Sequence, residues 1–107
     1  MKIIIKKSSV RAWEIVALAE RGYKKEAKKS LQEALNLAAQ VTPLSSCCEA
    51  LFYLYQASFS IDINEAMKVF EHMKSLCPSS GHWRAKRAIN NGEKMLQGEH
   101  KPREYFW

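Results

Sequence analysis

Apolar positions recur along this chain at helical spacing, not at the alternation of a strand. Ala12, Trp13, Val16, Ala17 and Ala19 share a face that Ile15 and Leu18 widen, predicting a helix over 9–21 behind Ser8-Ser9. Gly22 closes it, because glycine takes the left-handed conformation without a steric cost. Ala27, Leu31, Ala34, Leu35 and Ala38 line one side of a second helix over 23–40, which Pro43 forbids to continue. Ser46-Cys47-Cys48-Glu49 has the form of a capping box and opens a third helix over 46–59. Its aromatic content suits a strand, but the spacing of Ala50, Leu54 and Ala57 favours a helix. Asp62-Ile63-Asn64-Glu65 is a second capping box, leading into Ala66, Met67, Val69, Phe70, Met73 and Leu76 over 64–77, with Pro78 as the stop. Ser79-Ser80 then start a fifth helix over 80–97 carrying Trp83, Ala85, Ala88, Ile89, Met95 and Leu96, ended by Gly98. The expected class is all-α, with five antiparallel helices in one domain and an aromatic tail over 98–107.

The pattern also repeats. Ser-Ser pairs precede three of the predicted helices at intervals of 37 and 34 residues, and Pro43 and Pro78 stand 35 apart. Such periods mark helical-hairpin arrays, whose units bury their apolar faces on one another. Ala66, Phe70, Met73 and Pro78 form the spacing A-x3-F-x2-M-x4-P, which resembles the second helix of a tetratricopeptide repeat. Gly22-Tyr23-Lys24-Lys25-Glu26-Ala27, followed by Leu31 and Ala34, resembles the turn and second helix of an earlier copy. The resemblance covers roughly 8–43 and 46–78, with a capping helix at 80–97, and implies an α-α superhelix. It also implies a groove for a peptide or partner helix, with Trp13, Val16 and Ala17 from the first copy and Tyr53, Gln56 and Ala57 from the second.

The chain has 107 residues, 47% apolar and 26% charged, which fits one globular domain and excludes disorder by composition. The longest apolar run, Ala50 to Tyr55, is far short of the ~20 residues that cross a bilayer. Met1 to Lys7 has too few apolar residues for a signal peptide. No membrane association is expected. Three cysteines, an odd number, suit reduced thiols and a cytoplasmic location better than a disulfide scaffold. The net charge of +6 is uneven: residues 1–30 carry +6, residues 31–81 carry −3 and residues 82–107 carry +3.

Little in the sequence suggests catalysis. Cys47, Cys48, His72, Cys77 and His82 are zinc-ligand types, but adjacent cysteines on a helix diverge and the remaining spacings fit no standard site. No cofactor motif, phosphate loop or paired carboxylate stands out, so a non-enzyme without cofactors is expected. Phe52, Tyr53, Tyr55 and Phe59 spread around the third helix, which suits a central helix buried on several sides or, as the alternative, rings that line a groove or a dimer interface. Tyr105, Phe106 and Trp107 pack onto the body or join two copies, making a homodimer one expectation. Lys24, Lys25, Lys28 and Lys29, with Arg84, Lys86 and Arg87 beside Trp83, are the candidates for an anionic partner, nucleic acid included. The reading favoured over that one is a protein–protein interaction module: an adaptor, small chaperone or assembly factor.

Overall fold

A computed structural model describes the backbone of residues 2–101 and the side chains of residues 10–101. The described residues form α1 (Lys2–Glu20), α2 (Lys24–Ala38), α3 (Leu44–Ser58), α4 (Ile63–Leu76), a 3-10 turn (Cys77–Ser80) and α5 (Trp83–Leu96). No strand occurs among them, and the all-α class stands. The expected tail residues Tyr105, Phe106 and Trp107 lie outside the described residues.

The helix ends show which local signals acted. At the close of α1, Gly22 adopts φ +89°, so the Tyr23 amide donates to the Leu18 carbonyl at 2.9 Å and the Gly22 amide to Ala19 at 3.1 Å. The same pair of bonds closes α5 at Gly98. Asp62 caps α4 as its sequence suggests, its carboxylate accepting from the Glu65 amide at 2.8 Å.

The serine pairs do not act as expected. Ser8-Ser9 lie inside α1, which begins a full turn and more before them. Ser46 is buried inside α3, whose start is set by Pro43: its carbonyl accepts from the Ser46 and Cys47 amides. Proline presets an extended entry at no cost in lost amides, so no serine cap is needed there. Ser79 and Ser80 belong to the 3-10 turn, and His82 is the cap of α5.

α3 is the axis of the molecule. It packs against α1, α2, α4, α5 and the 3-10 turn, while α1 also meets α2, and α4 also meets α5. Every residue from Ala50 to Ser58 is buried. That explains how so aromatic a segment is helical: a helix covered on several sides has no polar face to preserve. Ala27, Leu31 and Ala34 of α2 and Ala66, Phe70 and Met73 of α4 also point into this core. At its centre Tyr55 packs against Phe59 and Phe70, each at 5.2 Å between ring centroids. The Tyr55 hydroxyl donates to the Gly92 carbonyl of α5 at 2.7 Å. A buried phenol needs such an acceptor, and this one pins α5 onto α3.

The cysteine expectation is overturned. Cys48 and Cys77 form a disulfide, their Cα atoms 5.8 Å apart, and Cys47 alone is free. A separation of 29 residues carries no local pairing signal. The pairing arises because the 3-10 turn folds against α3. The reduced thiols were the ground for expecting a cytoplasmic location, and that ground falls with them. No helix among the described residues is long and apolar enough to cross a membrane.

Candidate recognition surface on helix α5

The start of α5 is set by a turn and a cap. Gly81 follows the 3-10 turn, and His82 is extended, its Nδ1 accepting from the Arg84 amide at 3.1 Å. That cap makes Trp83 the first helical residue and places Arg87 one turn beyond it. The Arg84 guanidinium lies 5.3 Å from the Trp83 ring centroid, and the Arg87 guanidinium 5.0 Å. Both are within cation–π range.

A single carboxylate of α3 reaches the two arginines. Glu49 lies 3.9 Å from Arg84 and 3.8 Å from Arg87. These separations exceed a hydrogen bond, so the pairing is electrostatic and leaves guanidinium N–H donors for other acceptors. Tyr53, one turn beyond Glu49 on α3, completes the group. Burial pushes its hydroxyl pKa up, the Glu49 charge adds to that rise, and Arg87 opposes it. Trp83 nevertheless keeps 57% of its surface exposed. The result is a large ring with cations held beside it on α5, tied through Glu49 to α3, the most deeply buried helix. Such a surface offers stacking, apolar contact and charge.

The chain matches no known family model, no curated protein and no solved structure.

The structure divides the residues singled out from sequence. Of the groove set, Trp13 and Ala17 are exposed on α1, Trp13 by 48%. Val16, Tyr53, Gln56 and Ala57 are buried in the core, and Gln56 and Ala57 have no accessible surface at all. Buried side chains have no groove wall to offer, which corrects the expectation for these four. Lys24, Lys25, Lys28 and Lys29 are exposed on α2, but Lys28 faces Glu65 of α4 at 3.9 Å, which Lys68 also approaches at 3.6 Å. Arg84, Lys86 and Arg87 are exposed on α5. Among the described residues α2 does not contact α5, so the two basic clusters do not join into one track.

The zinc-ligand types do not assemble either. Cys48 and Cys77 are bonded to each other, His82 caps α5, and no group of three or more His, Cys, Asp or Glu among the described residues is arranged to hold a metal. Cys47 is buried, and desolvation pushes its thiol pKa up, the opposite of an activated nucleophile.

Sequence reasoning assigned Glu49 to a cap and placed Trp83 beside Arg84, Lys86 and Arg87, but missed the meeting of Glu49 with the two arginines. One signal was there to find: Glu49 and Arg84 are 35 residues apart, the same interval that separates Pro43 from Pro78.

Proposed function

We propose that this chain is a non-catalytic protein–protein interaction module, serving as an adaptor, small chaperone or assembly factor. Its helices act as tetratricopeptide-like hairpins that cover one another's apolar sides. What supports the repeat reading is the sequence spacing, with Ala66, Phe70, Met73 and Pro78 in register and Pro43 and Pro78 standing 35 residues apart. The observation that carries the functional reading is the half-exposed Trp83 held beside Arg84 and Arg87 over Glu49. Trp, Tyr and Arg dominate binding hot spots, and side chains already fixed by stacking lose little freedom on association. The contact surface is therefore placed on α5 and the edge of α3, not on the buried residues of the α3 interior.

Nucleic-acid binding through the basic residues of α2 and α5 is the rival. It is weakened by the separation of the two clusters, since α2 and α5 are not in contact among the described residues. The test is quantitative affinity purification from native lysate, with and without nuclease, comparing the wild-type chain with Trp83→Ala. Captured proteins that survive nuclease and are lost with Trp83→Ala are the expected result. Capture abolished by nuclease, or identical with both baits, would sink the reading.

A further inference from the structure

We propose that the exposed ridge of α5 recognises an acidic protein segment carrying a large apolar residue beside its carboxylates. This rests on the interaction-module reading and gives the partner its chemistry. Trp83, Arg87, Asn90 and Lys94 recur at intervals of four, three and four residues along α5, so they share one side of the helix. Trp83, Arg87 and Asn90 are exposed and Lys94 partly so. Arg84 and Lys86 flank the ridge. Among the described residues, Arg84 and Arg87 share one carboxylate beside Trp83, Glu49, and Lys86 stands between them on the same turn of α5, leaving an excess of +2. Glu93, the single acidic residue on α5, lies roughly 15 Å along the axis from Trp83, beyond the Debye length of about 8 Å. Charge complementarity at the Trp83 end therefore calls for carboxylates.

Trp83 supplies the apolar half of the contact. Its ring offers a broad surface at the low entropy cost of two side-chain torsions, and it needs a large apolar side chain to cover it. The guanidiniums keep N–H donors that fit a carboxylate in a planar fork. A nucleic acid suits the same place poorly. The basic residues of α2 and α5 form no continuous track for a long polyanionic backbone among the described residues, whereas a short acidic segment needs only the Trp83 end of α5.

The experiment uses the full chain as bait for a phage-displayed library of short random peptides, with a single-stranded oligothymidylate measured in parallel by fluorescence anisotropy. The expected result is a selected pool enriched in Asp and Glu together with Phe, Trp or Leu. Individual peptides then weaken by about tenfold or more with Trp83→Ala, and likewise with Arg87→Gln, the size expected of a hot-spot residue. Replacing their carboxylates by amides costs a similar factor, and the affinity falls as salt rises. Lys25→Gln, on the distant α2, leaves binding unchanged. Circular dichroism of each variant separates lost contacts from lost folding, and Arg87→Lys distinguishes fork recognition from charge alone by failing to restore full affinity. A selected pool without acidic bias that still depends on Trp83 overturns the acidic assignment and leaves the interaction module standing. An empty selection overturns the acidic assignment as well. Oligothymidylate bound in preference to every peptide overturns both.

Discussion

Replacing glycine by alanine inside a helix normally stabilises a protein by about 0.8–1 kcal/mol, because alanine restricts the unfolded chain. Gly92, in the middle of α5, is expected to do the reverse. A Cβ added there meets Phe70 Cε1 at 2.6 Å, Phe70 Cδ1 at 3.1 Å and Tyr55 Cε2 at 3.2 Å. Phe70 is buried with its ring against Tyr55. Tyr55 is in turn fixed by Phe59 and by its hydroxyl on the Gly92 carbonyl. The rings cannot yield independently, since moving Phe70 pushes on Tyr55 and displacing α5 stretches the bond that holds it. Overpacking of this kind costs about 1–3 kcal/mol, and weakening the buried hydrogen bond adds about 1 kcal/mol. Set against the propensity gain, Gly92→Ala should destabilise by about 1–3 kcal/mol. Urea unfolding followed by circular dichroism measures this as a lower midpoint at unchanged slope. Asn90→Ala is the control: on the exposed side of the same helix it should be neutral or slightly stabilising. A Gly92→Ala chain as stable as wild type, or more so, would refute the claim that α5 sits on α3 and α4 by backbone approach to two locked rings.

Other perturbations test separate parts of the structure. Replacing Cys48 and Cys77 together by alanine frees a loop of 29 residues, and the loop-entropy relation puts the loss at about 3–4 kcal/mol. The double variant should also make stability insensitive to dithiothreitol, which should lower that of wild type; equal response in both would remove the bond from the account. Asp62→Ala deletes the cap on the Glu65 amide and should cost about 1 kcal/mol in the same unfolding assay, whereas Asp62→Asn should keep most of it. Tyr53 and Tyr55 have hydroxyl pKa values raised chiefly by burial. A folded pKa above the unfolded value of about 10 means that the native state holds these protons more tightly, so their contribution is full below that pH and is lost as pH rises from there through the raised folded pKa. Tyrosinate absorbance should therefore show these two of the four tyrosines ionising late and together with unfolding, and ordinary titration of all four would contradict their burial.

The elements legible in the sequence are those whose signal is local. The stripe of Ala27, Leu31 and Ala34 names the buried side of α2, and Asp62 and Gly22 mark helix ends with their own side-chain or backbone chemistry. The ring-rich segment reads as the central helix because four large rings within eight residues leave no face for water. Serine misled because a hydroxyl is only one of several acceptors for first-turn amides. At α3 the Pro43 carbonyl serves, and at α5 the His82 imidazole does. The disulfide was illegible for a different reason: it depends on where a short 3-10 turn lands, and no periodicity in the chain encodes that.

The groove residues show why a repeat motif and a binding surface are separate questions. Placing Tyr53, Gln56 and Ala57 on one helical face follows from the spacing, but whether that face meets water depends on what packs beside it. With α1, α2, α4 and α5 packed around α3, Gln56 and Ala57 close into the core. The exposed chemistry passes to the junction of α3 and α5, where Glu49 meets Arg84. Their 35-residue separation equals the Pro43–Pro78 interval in the sequence. The same contact that buries the aromatic core thus builds the Trp83 surface. It follows that variants loosening α5, such as Gly92→Ala, should weaken peptide binding even though Gly92 touches no ligand, while Asp62→Ala, which lowers stability from α4, should leave the affinity of the folded chain unchanged. Equal loss of affinity in both would show that binding tracks global stability and not the seating of α5.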